Sequence, residues 1–144
     1  MLIGPTDCGK TTLANAINGV DAPVRRTQDT LFGKYAMDVP GSYMENPWMY
    51  PHLISAAQNH AAHILMLVDQ ATCRSVGAPG FTAVFGCPVT GVVTKADLAP
   101  ENEAACIKHL ERLGVRGPYF RVSAKENTGM AELNTFLSEK GLVQ

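Results

Sequence analysis

Near the start of the chain, Gly4-Pro5-Thr6-Asp7-Cys8-Gly9-Lys10-Thr11 has the residue types and spacing needed to hold a chain of phosphates. The string fits GxxxxGK[ST] and follows the apolar Met1-Leu2-Ile3. Two glycines five apart let the backbone curl so that its N–H groups face inward. A helix starting at the end of the loop adds its positive pole to the same anion. Gly4, Pro5, Thr6, Asp7, Cys8 and Gly9, continued through Lys10 and Thr11 to Thr12, are therefore expected to line a nucleoside triphosphate. Lys10 reaches the β- and γ-phosphates and is the expected catalytic cation. The Thr11 hydroxyl is an expected Mg²⁺ ligand.

Three further strings stand at the ends of short β-type runs. Asp38-Val39-Pro40-Gly41 follows Tyr35-Ala36-Met37, Thr94-Lys95-Ala96-Asp97 follows Val89–Val93, and Ser123-Ala124-Lys125 follows Tyr119–Val122. A doubly wound sheet binds its ligand outside the carboxyl ends of its strands, so this placement is the required one. Asp38 is expected at the Mg²⁺, and the Gly41 N–H at the γ-phosphate.

In this order and within this length, the four strings resemble the small GTPase domain. The resemblance implies an α/β, three-layer P-loop NTPase fold of the Ras-like kind. Its sheet is mostly parallel with helices on both faces, and one domain covers residues 1–144. It implies that Thr94, Lys95 and Asp97 read guanine. The Asp97 carboxylate takes the two ring N–H donors, and the Lys95 stem lies along the base. Ser123, Ala124 and Lys125 close over the guanine oxygen with a backbone N–H. It also implies a threonine in the polar stretch 20–30 that binds Mg²⁺, contacts the γ-phosphate and takes part in catalysis. Thr27 and Thr30 both qualify, and Thr27 is favoured because Thr30 lies close to a strand. This stretch and the one after Asp38 are expected to become ordered when a γ-phosphate is present.

The match narrows further. GPTDCGKTT, Arg26-Thr27-Gln28, DVPGSYMENPWMY (38–50), PGF (79–81), CPVTGVVTKADLA (87–99) and SAKENTG (123–129) together resemble the EutP/PduV family of ethanolamine- and propanediol-utilisation proteins. The resemblance covers essentially the whole chain. It implies an association with bacterial microcompartments, with a shell or enzyme component as partner. It also implies relatives with a few more residues ahead of the first strand.

The elements that must position these residues alternate along the chain. The pattern predicts a short strand at Met1–Ile3 and a helix from Lys10 to Asn18 stopped by Gly19. Two short strands follow, near 30–32 and 34–37. A helix near Pro51–His63 then leads into the buried strand Ile64–Asp69. An irregular loop over 71–88 precedes strand Val89–Val93 and helix Glu101–Leu113. Strand Phe120–Val122 and a last helix at about Met130–Lys140 complete the order. The continuous apolar strands suit a parallel sheet covered on both faces.

The 144 residues are 46% apolar, enough for one well-formed core. Twelve basic and thirteen acidic residues give a net charge of −1 with no basic block. Nucleic acid is thus not an expected partner. With no apolar run of membrane length and no signal pattern, the chain reads as cytoplasmic, not membrane-bound. The four cysteines at 8, 73, 87 and 106 lack CxxC spacing and read as reduced thiols. Cys8, inside the loop, is a candidate exposed reactive thiol. His60 and His63 fall three apart on a predicted helix, where an exposed helix face is the favoured reading over a metal site. Trp48, Tyr43 and Tyr50 form an aromatic stretch, part of it core and part a candidate partner contact.

One departure bears on chemistry. The position after DxxG, where an amide would orient water, is Ser42, and Tyr43 follows. Slow hydrolysis is therefore expected. The leading function is a GTP-binding protein with slow hydrolysis. The alternative is a small-molecule kinase of the acetate kinase type using ATP or GTP, and a nucleotide-binding scaffold is a third reading.

Overall fold

The sheet is built outward from β4 (Ile64–Asp69), six residues that are all buried. Alternate side chains serve two cores. Ile64, Met66 and Val68 pack into one cluster, while Leu65 and Leu67 pack into the other. That double burial explains the unbroken apolar run, since a strand covered on one face alone would alternate with polar residues. Each such side chain contributes roughly 1.5–3 kcal/mol by leaving water.

The structure, a computed structural model, describes residues 1–5, 8–19, 31–32, 35–73, 77–123 and 126–142. In these residues the elements run β1 (Leu2–Ile3), α1 (Lys10–Asn18), β2 (Leu31–Phe32), β3 (Met37–Asp38), α2 (Ser42–Glu45), α3 (Tyr50–His60) and β4. They continue with β5 (Val89–Thr94), α4 (Glu103–Leu113), β6 (Tyr119–Arg121) and α5 (Met130–Glu139). The strand order is β2-β3-β1-β4-β5-β6. β2 pairs antiparallel with β3, and the other pairs are parallel. Leu53 and Ala57 of α3 and Cys106, Leu110 and Leu113 of α4 join one core. Leu13, Ala14 and Ile17 of α1 and Leu133 and Leu137 of α5 join the other. Helices thus cover both faces, as expected from the sequence. The connection leaving β1 runs toward β2 and β3, whereas the one leaving β3 crosses over to β4 and the next two continue to β5 and β6, so the crevice at the carboxyl ends opens beside β1.

Several boundaries differ from the sequence reading. The second and third strands are two residues each, and Gly33 and Lys34 between them lie outside the described residues. Pro100–Asn102 forms a 3-10 turn, and α4 begins only at Glu103. Another 3-10 turn, Phe81–Val84, lies in the irregular loop. There Phe81 and Phe85 are buried edge-to-face, their centroids 5.5 Å apart. The third helix stops at His60, so His63 does not share its face. His63 instead turns inward, with Nε2 2.7 Å from the Thr90 hydroxyl. Burial first, and then the positive charges of the chain start and Lys140, lower its pKa from the ordinary histidine value. His52 and His60 are exposed, and no cluster of three metal-type side chains forms among the described residues. Of the aromatic stretch, Met44 is buried, Tyr43 and Tyr50 pack against the core, and Trp48 is 74% exposed. No helix among the described residues is long and apolar enough to cross a membrane.

Candidate nucleotide site

β1 ends at Ile3, and the chain turns through buried Gly4 and Pro5 before α1 begins at Lys10. Gly9 caps α1 with no side-chain hydrogen bond, and the first turn carries no acidic residue. A helix start dressed in this way leaves its N–H groups and positive pole to an external anion. Lys10 is only 6% exposed. Among the described residues its ammonium meets neutral partners, the Pro5 carbonyl at 3.0 Å and the Cys8 sulfur at 3.9 Å. A buried cation with neutral neighbours is poised for a negative ligand.

At the next residue, the Thr11 hydroxyl donates to Asp38 Oδ2 at 2.6 Å. Asp38 is 3% exposed at the end of β3. Pairing β1 with β3 in parallel brings these two residues together, although they lie 27 apart in sequence. A hydroxyl and a carboxylate, both hard oxygen donors, suit Mg²⁺, which takes few protein ligands and completes its shell with phosphate and water. The residues present therefore fit the ion. Gly41, buried, begins α2 directly after them.

The second half of the site lies at the end of β5. The Thr94 hydroxyl donates to the Cys8 and Val68 carbonyls, tying the phosphate loop to β4 and β5. Lys95 has φ +54°, a left-handed conformation that costs a non-glycine residue roughly 1–2 kcal/mol. It is held there from several sides. Its ammonium is 2.9 Å from Asp69 Oδ2, with Asp69 only 4% exposed and the Lys95 side chain 38%. Ala96 N–H donates to the Val122 carbonyl. Gln70 Nε2 donates to the carbonyls of Ala96 and Leu98 at 3.1 and 2.9 Å. Asn102 Nδ2 holds the Gln70 carbonyl at 2.9 Å. Ser123 donates its hydroxyl to Asp97 Oδ1 at 2.7 Å and accepts from the Glu126 N–H at 3.1 Å. Beside these groups opens a mostly apolar cavity of ≈ 330 Å³. Thr12, Leu13 and Ala16 of α1 line one side, and Lys95, Asp97 and Met130 the other.

The structure thus gathers Gly4, Pro5, Cys8, Gly9, Lys10, Thr11, Thr12 and Asp38 at one end of the crevice. Thr94, Lys95, Asp97 and Ser123 gather beside it. Thr6, Asp7, Thr27, Thr30, Ala124 and Lys125 lie outside the described residues. The alternative of an exposed reactive thiol at Cys8 does not hold. It is 1% exposed, and its sulfur fills the space a side chain on Gly4 would need. Burial outweighs the opposing influence of Lys10 and pushes the thiol up to about 11. Sequence reasoning missed Asp69, Gln70 and Asn102. A usable signal was present in the acidic Asp69, which closes an otherwise wholly apolar strand.

Comparison with known proteins agrees with this geometry. The chain is 39% identical over 142 residues to the propanediol utilization protein PduV of Citrobacter freundii, with 97% of this chain and 93% of that protein covered. It is 28% identical over 139 residues to a Salmonella typhimurium protein described as "Probable acetate kinase EutP", covering 94% and 86%. Among solved structures, an S. thermophilus NFeoB variant bound to GDP·AlF4− superposes with a TM-score of 0.66 at 25% identity. That match covers 93% of this chain and 61% of the longer one. The fold is that of a P-loop, GTPase-type nucleotide-binding protein. Residues 1–139 match the family described as ethanolamine utilisation - propanediol utilisation, and the chain belongs to that family.

Proposed function

We propose that the protein binds GTP with Mg²⁺ and hydrolyses it slowly, serving the propanediol or ethanolamine utilisation system as a nucleotide-dependent component. The observation that carries this reading is the Asp97 carboxylate, oriented by Ser123 at the wall of an apolar cavity. A charged, acceptor-only group beside a purine-sized apolar slot favours the paired N–H donors of guanine over adenine, which offers no such pair.

The division of labour follows from the residues. Lys10 binds and orients the β- and γ-phosphates from a protected position, so little of its charge is screened. Thr11 and Asp38 would hold Mg²⁺, which supplies charge neutralisation at the phosphate oxygens. Thr27 joins them in this reading as the hydroxyl from the polar stretch. Ser42 is exposed and Tyr43 leans against the core and the His52 ring, so neither offers an amide to orient water. Slow turnover follows. Phosphoryl transfer to acetate, named in the description of the 28% identical relative, is the less favoured reading, because base recognition is what the cavity beside Asp97 supports best.

The test compares GTP with ATP, in Mg²⁺ buffer, for affinity and for turnover with and without acetate. Preferential GTP binding with acetate-independent phosphate release is the expected result. Tighter ATP binding, or acetyl phosphate formed at a rate exceeding free phosphate release, would overturn it.

A further inference from the structure

Away from the nucleotide site, two nucleophiles converge on the far side of Asp69. Cys73, in the turn after β4, and Cys106, on α4, bring their sulfurs to 3.3 Å. Both are free thiols. Their approach is fixed by the fold. The Cys73 N–H donates to the Asp69 carbonyl at 2.7 Å, and the Cys106 thiol faces the same oxygen at 4.0 Å. Cys106 is fully buried in the core that α4 shares with β4, while Cys73 is half-buried at its margin. A disulfide bond is about 2.05 Å long, so the sulfurs stand about 1.3 Å beyond bonding distance. Closing that gap asks for side-chain movement, not a rearrangement of strand and helix.

We propose that Cys73 and Cys106 form a dithiol modification site that reacts with small disulfide compounds and closes to an intramolecular disulfide. Cys73 is the point of entry, being the more accessible sulfur. Its thiolate attacks one sulfur of the external disulfide, a mixed disulfide forms, and one thiolate leaves and takes up a proton. The Cys106 thiolate then attacks the Cys73 sulfur, the mixed disulfide breaks, and the second small thiol leaves. Two protein thiols are oxidised and one external disulfide is reduced to two thiols, so atoms and electrons balance. The order is set by environment. Burial pushes the Cys106 thiol up to about 12, which leaves it a poor first nucleophile. As the second nucleophile it is already in place. The crosslink would tie the turn after β4 to α4, directly behind the residue that anchors Lys95.

The folded protein is incubated with mixtures of oxidised and reduced glutathione, quenched in acid, alkylated after unfolding and mapped by peptide mass. The expected product links the peptides of Cys73 and Cys106, has lost two hydrogens and carries no glutathione at either position. Cys106→Ala should stop the reaction midway, leaving glutathione on Cys73. Cys73→Ser should leave Cys106 free for alkylation after unfolding. Wild-type protein that holds glutathione on Cys73 with Cys106 still free, or that shows neither residue oxidised when Cys87 is, would overturn the proposal. The wild-type map decides the matter even if a variant fails to fold.

Discussion

The sharpest test of the base-reading loop is a double-mutant cycle between Asp69 and Lys95. Their ion pair, 2.9 Å long, joins a carboxylate that is 4% exposed to a side chain that is 38% exposed. Exposed pairs contribute about 0.2–1 kcal/mol, whereas breaking a buried one costs about 3–5. This half-buried pair falls between, at roughly 1–2 kcal/mol. In Asp69→Asn the amide can still accept the Ala71 N–H that Oδ1 accepts now. Its NH₂, however, would meet an ammonium with no acceptor to offer. Lys95 would then lose its carboxylate partner, and nucleotide binding would have to re-fix part of a long side chain at up to about 2 kcal/mol of rotamer entropy. The expected loss of GTP affinity is about 1.5 kcal/mol, close to tenfold. In a Lys95→Ala background the same Asp69→Asn change should cost no further affinity, because Asp69 acts through Lys95. Its effect on stability should reverse sign there, since it removes a buried carboxylate that has lost its cation. The assay is a fluorescent guanine nucleotide titration, with urea unfolding in parallel. Affinity losses that add to within about 0.5 kcal/mol in the double variant would refute the reasoning.

Further outcomes follow from the same geometry. Lys10→Ala should nearly abolish triphosphate binding by calorimetry, and Thr11→Ala should weaken it in a way that added Mg²⁺ partly restores; binding in Thr11→Ala that Mg²⁺ does not change would remove Thr11 from the metal. Asp97→Asn should weaken GTP far more than ATP, by roughly 3 kcal/mol, and Ser123→Ala by about 1, both read from competition titrations. Gly129→Ala should destabilise the fold by about 3 kcal/mol or more in urea, because φ is +76° and the new Cβ would lie 1.9 Å from the Arg121 carbonyl oxygen. Cys8 should resist a maleimide at pH 8 in the folded protein. Its folded pKa of about 11 lies above the ordinary 9.0. The stabilisation from keeping that thiol neutral is therefore complete below pH 9 and lost between about 9 and 11, and Cys8→Ala should flatten that part of the stability profile.

The phosphate end of the site was legible because its chemistry is local. A loop and the first turn of a helix supply Lys10 and Thr11 from one continuous string, and spacing alone specifies them. Asp38 and Asp97 were legible for a related reason, since Asp38 closes a short apolar run, Asp97 follows three residues after another, and strand ends converge in a doubly wound sheet. The hidden parts depend on which strand lies beside which. Asp69 and Lys95 face each other only because β4 and β5 pair in register, with Asp69 opposite Thr94. Gln70 and Asn102 meet 32 residues apart, and Cys73 and Cys106 33 apart, through the docking of α4. The third helix ends short of the expected His63 for a different reason: apolar periodicity continues through Ala61 and Ala62 into β4 and carries no stop signal, whereas the backbone is extended at Ala61.

This division has a consequence for where specificity resides. A loop of the GxxxxGK[ST] type offers backbone N–H groups and a lysine to phosphates alone, so on the proposed reading it would not choose a base. In the proposed reading, choice rests on Asp97 and on a lysine in a conformation that its own backbone disfavours. A strained residue persists only when its surroundings over-determine it. Here the surroundings are Asp69, Gln70, Asn102 and Val122, none of which lines the cavity except Val122. On the proposed function, base selectivity would therefore depend on the end of β4 and the start of α4 as much as on the TKAD string. Two relatives with identical TKAD residues but different residues at positions 69, 70 and 102 should differ in guanine affinity while holding phosphates alike.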